Sequence, residues 1–317
     1  MTRKKRRRFE LLVERFLEQM RAAGWSPRTL DSYRSHLGFL LTYLDDETEV
    51  EKITEVTPRV LHAYQTWLYS VADEDGRGLA ISTQAARLSA VRSFSRWLVR
   101  TDVLLSDPAS GITLPKRKGI LPRSVLSKRE VSRLLAAPDL SAPLGLRDRA
   151  MMELLYSTGI RNAELRALQV YDLDFDRGLL RINEGKNAKD RTVPVGEVAA
   201  LWLREYLDEA RPKLLARRTD PEAETTVFLS KNGRPLFPLG VIYPIRKYAT
   251  KTGIERPITP HTFRHTFATH LLAGRADIRY IQAMLGHASV ATTQIYTRVE
   301  VTDLKAVHRR CHPRERR

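Results

Sequence analysis

Apolar positions recur with a helical period over the first hundred residues. Phe9, Leu12, Val13, Phe16, Leu17 and Met20 fall at i, i+3, i+4, i+7, i+8 and i+11, one stripe of an amphipathic helix. Ser26-Pro27 supplies an N-cap and a first-turn proline, and Leu30, Tyr33, Leu37, Leu40, Leu41 and Leu44 make the next stripe. Thr57-Pro58 repeats the start signal ahead of Leu61, Tyr64 and Leu68. A further helix opens near Ser82, with Leu88, Val91, Trp97 and Leu98 on its apolar side. Together these predict a four-helix domain over residues 9–106, preceded by a basic arm at 1–8. From 107 to 124 the period stops. Asp107-Pro108, Gly111, Pro115, Gly119 and Pro122 break any helix, and Lys116, Arg117 and Lys118 keep the stretch solvated, so it reads as a linker.

Residues 125–300 form a second domain of different texture. Helices are expected after Leu126-Ser127, from Gly145 to Ser157 and from Glu197 to Ala210. Between Val170 and Pro194 the period shortens. Leu179–Ile182 and Arg191–Pro194 read as strands around a Gly185-Lys186 turn, hence a small antiparallel sheet. Asp172, Asp174 and Asp176 alternate there as the solvated face of a strand. Thr259 caps a helix with Pro260 at its first position, and Gly274 offers a left-handed exit. Phe263, Phe267 and Leu271 make the core side of that helix. His261 and Arg264 share the exposed cationic side near its N-terminus, where backbone N–H groups favour an anion. The helix Asp277–Leu285 ends at Gly286, a left-handed cap that fixes where His287 points, and a short helix from Ser289 carries Tyr296. The fold class is mainly α with a small antiparallel sheet.

Charge adds a partner to this picture. The 317 residues hold 54 Lys+Arg against 37 Asp+Glu, a net charge of +17, which points to a polyanion, first of all nucleic acid. Arg92, Arg96 and Arg100 stand at i, i+4, i+8 and are either a solvated face or a DNA-facing stripe. The single cysteine, Cys311, excludes a disulfide framework and a multi-cysteine zinc site. No apolar run approaches the ~18 residues of a membrane span. The basic residues 3–8 lead into Glu10, Glu14 and Glu18, not the apolar core of a signal peptide, so a cytoplasmic location is expected. His261 and His265 have a zinc-compatible i, i+4 spacing but no glutamate between them and no cysteine nearby, so no metal is expected. His265 and His270 read as hydrogen-bonded structural residues. The three aspartates lack the second acidic cluster of a two-metal nuclease, and Gly185-Lys186 lacks the rest of a P-loop.

His261-x-x-Arg264, Leu285-Gly286-His287 and Gln294-Ile295-Tyr296 closely resemble the C-terminal signature of the tyrosine recombinase (phage-integrase-like) family, most nearly its Xer branch. Phe263–Leu272 is similar to that branch almost throughout. Thr158-Gly159-Ile160-Arg161-Asn162-Ala163-Glu164-Leu165 resembles the family's first-arginine motif, and Glu184-Gly185-Lys186 its lysine hairpin. The hairpin holds one residue more than the usual pattern, so Lys186, favoured at the glycine turn, and Lys189 both stand as candidates. The N-terminal helices resemble the family's SAM-like core-binding domain.

The resemblance implies a pair of DNA transesterifications. The Tyr296 oxygen attacks a backbone phosphorus to give a 3′-phosphotyrosine link and a free 5′-hydroxyl, with no cofactor because bond energy is conserved. Arg161 and Arg264 grip the non-bridging oxygens, and His261 and His287 complete the cradle. His261 is expected to accept the Tyr296 proton and Lys186 to protonate the leaving 5′-oxygen, while Glu164 orients Arg161. The implied partners are duplex DNA carrying an inverted repeat around a short spacer, copies of the chain in a synaptic tetramer, and a second related recombinase in some systems. The tail 301–317 is expected to dock on a neighbouring protomer through Leu304 and Val307. Two other functions remain open at this level: a type IB topoisomerase with the same chemistry, and a catalytically silent DNA-binding regulator.

Overall fold

A computed structural model describes residues 3–71, 76, 78–115, 125–183, 190–217, 221–286 and 301–315, with backbone only for 3–7, 301 and 302. They fall into two units, Met1–Ile120 and Leu121–Arg317. The first is built from α1 (Arg3–Ala22), α2 (Pro27–Asp46), α3 (Pro58–Ser70) and α4 (Ile81–Arg100). Ser26 and Thr57 cap α2 and α3, accepting from the Thr29 and Val60 N–H groups at 3.2 and 3.4 Å. The apolar stripes form one core, in which Leu37, Tyr64 and Leu68 are wholly buried. Phe16 is its aromatic centre, 5.5 Å from Phe94 and 5.6 Å from Trp97. Such tilted pairs add about 0.5–1.5 kcal/mol each beyond area burial.

Two expectations for this unit change. Residues 3–8, read as a separate basic arm, are continuous with α1, which starts at Arg3. Residues 107–115, read as linker, belong to the core: Ala109 and Ile112 are buried with the helices, and Asp107 accepts hydrogen bonds from the Ser95 hydroxyl and the Ala109 N–H. The prolines and glycine stop a helix there without stopping burial. Lys116, Arg117 and Lys118 lie outside the described residues.

The second unit opens with α5 (Lys128–Ala136), closed by a reciprocal Ser127–Glu130 capping box with bonds of 2.8 and 3.2 Å. Its axis is α6 (Pro143–Thr158), buried along almost its whole length. After α7 (Asn162–Ala167) come β1 (Leu173–Asp174), β2 (Leu179–Ile182) and β3 (Arg191–Pro194), an antiparallel sheet in that order with Leu180 opposite Val193. Then follow α8 (Glu197–Glu205), a π-turn over Tyr206–Ala210 and α9 (Arg211–Leu215). Pro212 lacks the N–H that Asp208 would bond in a regular helix, which accounts for the widened turn. The helices α10 (Pro238–Lys251), α11 (Pro260–Ala273), α12 (Ile278–Leu285) and α13 (Val301–Cys311) complete the unit.

Here too the structure corrects particular readings. Asp172 is not on a solvated strand face: it is buried in a 3-10 turn, accepting from the Gln169 N–H at 3.0 Å and Asn183 Nδ2 at 3.1 Å. Asp174 closes the next turn through the Arg177 N–H at 2.9 Å. Gly274 ends α11 at φ −76°, so its glycine is not there for a left-handed exit; Arg275, at φ 66°, makes that turn. A Cβ on Gly274 would stand 2.5 Å from the Cys311 carbonyl oxygen, so glycine is needed for the approach of α13. Leu304 and Val307, expected to anchor on a neighbour, are buried in their own chain's core with Cys311. Among the described residues, no helix is long and apolar enough to cross a membrane.

Candidate active site

The site begins where α6 stops. Gly159 takes φ 62°, and a Cβ there would lie 2.5 Å from Phe267 Cδ1 and 2.9 Å from Leu285 Cδ2. Both the conformation and the crowding demand glycine, and the turn delivers Arg161 to the N-cap of α7. Three residues on, Glu164 accepts from the Arg161 backbone N–H at 2.7 Å and from its Nη1 at 2.5 Å. Arg161 Nη2 reaches across to the Gly286 carbonyl at 3.0 Å, yet its side chain stays 44% exposed.

Arg264 approaches from α11. Phe263, Phe267 and Leu271 are fully buried, which fixes the helix's rotation. Arg264 is not on an exposed face as expected: it is 7% exposed, donating from Nη1 to the Gly159 carbonyl at 2.9 Å and from Nη2 to the Leu285 carbonyl at 2.7 Å. Its burial is tolerated because those carbonyls, including one at the negative end of α12, compensate its charge. His261, one turn earlier, is exposed. Thr259 caps α11, accepting from the Thr262 N–H at 3.3 Å.

The C-terminal end of α12 gathers the cations. Gly286 caps it in the left-handed region at φ 64°. The Met284, Leu285 and Gly286 carbonyls accept from Arg191 Nε at 3.0 Å, Arg264 Nη2 at 2.7 Å and Arg161 Nη2 at 3.0 Å. These are orphan carbonyls of a helix end, which cationic donors satisfy well. Two permanently charged guanidiniums, Arg161 and Arg264, are thus fixed on adjacent carbonyls, an arrangement suited to an oxyanion.

The sequence marks Arg191 only as part of a strand. Its alternation with the fully buried Val193 is the signal that placed it on the inward face. It pairs with Glu164 through two bonds, 3.1 and 2.8 Å. Burial acts to raise the Glu164 carboxyl, but Arg191 and Arg161 outweigh it and hold the group below its ordinary value. His270 is structural, 2.8 Å from the Tyr156 hydroxyl through Nδ1; burial and then the Lys128 charge lower its pKa. His265 is half-buried on α11. Arg92 is half-buried and Arg96 and Arg100 are exposed on α4. Lys186, Lys189, His287 and Tyr296 lie outside the described residues.

Both units of the chain are similar to known proteins. The phage integrase family matches residues 124–302, and the phage integrase N-terminal SAM-like domain matches residues 13–102. The chain is 39% identical over 301 residues to tyrosine recombinase XerC 2 of Ralstonia nicotianae, covering 95% of this chain and 85% of the relative. It is 41% identical over 294 residues to tyrosine recombinase XerD of Chlorobaculum tepidum, covering 92% of each. Its fold is similar to that of the XerH site-specific recombinase bound to palindromic difH substrate, a post-cleavage complex. That match has a TM-score of 0.67 and 21% identity, covering 93% of this chain and 82% of the other. A mainly helical catalytic unit with a three-stranded sheet, an N-terminal SAM-like unit and relatives of this similarity lead to one assignment: the chain belongs to the phage integrase family and is an Xer-type tyrosine recombinase, an enzyme of DNA strand cleavage and rejoining.

Proposed function

We propose that Arg161 and Arg264 hold a single scissile phosphate of duplex DNA and that Tyr296 attacks it. The observation that carries this reading is the anchoring of both guanidiniums on consecutive carbonyls, Leu285 and Gly286, with Arg161 exposed and Arg264 buried. A pentacoordinate phosphorus gathers negative charge on its non-bridging oxygens, and pre-fixed planar cations stabilise that charge without reorganising. A phenol of pKa about 10 needs such a field and a base to attack at neutral pH. His261, exposed on the first turn of α11, takes the Tyr296 proton, and His287, directly after the Gly286 cap, donates to the phosphate. Lys186, with Lys189 as the alternative, protonates the departing 5′-oxygen. The second step reverses the first on a new 5′-hydroxyl, so the phosphodiester count is conserved and no cofactor is consumed.

The substrate in this reading is a specific inverted repeat occupied by four copies of the chain, or by two copies and a related recombinase. The N-terminal unit contacts the duplex through Arg92, Arg96 and Arg100 and through Lys116, Arg117 and Lys118, supplying salt-dependent affinity. Exchange of the tail 301–317 with a neighbour would first require it to leave the seat it occupies in its own chain. The test is a nicked suicide duplex carrying the cognate site: the protein forms an SDS-resistant covalent complex, and Tyr296→Phe binds the duplex but forms none. Covalent trapping by the variant would remove Tyr296 from its role.

A further inference from the structure

Arg191 lies outside the residues given a chemical role, yet it joins three parts of the site. Its side chain, 11% exposed at the start of β3, grips both oxygens of Glu164, itself only 9% exposed. Glu164 in turn holds the backbone and guanidinium of Arg161. A further contact, Arg191 Nε to the Met284 carbonyl at 3.0 Å, secures the same helix end that Arg161 and Arg264 use. Stability alone explains this poorly, because a buried ion pair is often no better than a well-packed apolar pair. Charge supplies a reason. Arg161, Glu164 and Arg191 together carry +2 − 1 = +1, whereas Arg161 and Glu164 alone are neutral.

We infer that Arg191 is a positioning residue for strand cleavage: it shares the Glu164 carboxylate, which keeps a net positive charge at Arg161, and it fixes the α12 end that aims Arg161 and Arg264. This rests on the proposed contact of Arg161 with the scissile phosphate. Arg191 touches neither DNA nor the tyrosine in this role. Lysine cannot replace it, since an ammonium lacks the planar fork that spans two carboxylate oxygens and a carbonyl.

The test measures single-turnover cleavage of the suicide duplex at saturating full-length protein, with DNA affinity and thermal melting measured alongside. Arg191→Gln is expected to cleave about 10–100-fold more slowly, with DNA affinity changed by less than about threefold. Arg191→Lys, which keeps the charge and guards against a misfolded glutamine variant, is expected to remain slow by about tenfold. Adding Glu164→Gln to Arg191→Gln removes the unshared carboxylate and is expected to recover part of the lost rate. A lysine variant that cleaves at the wild-type rate overturns the inference, as does a double variant slowed by the product of the two single effects. Arg161→Ala is the separate control. If it cleaves like wild type, the parent reading fails, whatever Arg191 does.

Discussion

Two helix ends in the catalytic unit pair their last carbonyls with side chains of different character. At the end of α12, the Met284, Leu285 and Gly286 carbonyls accept from three arginines. At the end of α6, the Ser157 carbonyl accepts from His308 Nε2 at 2.7 Å and the Tyr156 carbonyl from His312 Nε2 at 3.1 Å. The two imidazoles, one on α13 and one just past its end, stack 4.7 Å apart. Burial lowers the pKa of His308 to about 4, and burial with the nearby His308, His270 and Arg314 pushes His312 well below its ordinary value. Both ends satisfy the same orphan carbonyls. The arginines do so with charge no accessible pH removes, and the histidines do so as neutral donors. One end therefore offers a permanent field to an anion, while the other is a neutral seam that seats the tail.

The largest expected effect is at the arginine end. Arg264→Ala and Arg161→Ala should each reduce single-turnover cleavage by about 10²–10³-fold. Their stabilities should part. Removing buried Arg264 strands the Gly159 and Leu285 carbonyls and costs about 1–3 kcal/mol, read by thermal denaturation, whereas half-exposed Arg161 leaves the melting temperature nearly unchanged. Equal destabilisation by both variants would mean that the two arginines are not divided between frame and contact as their exposures suggest.

At the histidine end the expected losses are in stability. Deleting residues 302–317 removes Leu304, Val307 and Cys311 from the core, and with them the Arg314 contact to buried Glu153. At about 1.5–3 kcal/mol for each large apolar side chain, the truncation should cost roughly 3–6 kcal/mol. A truncated chain that melts like the full one would show that α13 is not seated as described. A smaller effect follows from pH. His308 is neutral when buried and has a pKa near 6.5 once exposed, so its contribution is complete above pH about 6.5. It is lost as pH falls from there to about 4, which makes the loss about 3 kcal/mol at most. His308→Gln should lessen the dependence of the denaturation midpoint on pH over that interval, with buried His312 contributing the rest, and an unchanged slope would remove His308 as a titrating group.

The sequence made local features legible and tertiary ones not. Ser26, Thr57, Ser127 and Thr259 were readable as caps because a cap needs only its next three residues. The stripes through Phe16, Leu37 and Phe267 were readable because a helical period is local too. Arg264 was misread as exposed because its burial comes from Gly159 and Leu285, 105 and 21 residues away. Arg191 is not legible in the sequence for the same reason, with partners on α7 and α12. Gly274 was assigned to the wrong cause, since nothing near it in sequence announces the approach of Cys311. The candidate set around Arg161, His261 and Arg264 came from spaced motifs, which record a shared chemistry even where periodicity records nothing.

The most direct measurement is the identity of the residue joined to DNA. After trapping on the suicide duplex, nuclease and protease digestion followed by mass spectrometry should find a 3′-phosphonucleotide remnant on the peptide containing Tyr296, bonded to its phenolic oxygen. A remnant on any other residue, or complete turnover with no protein-linked nucleotide at any time, would contradict the account.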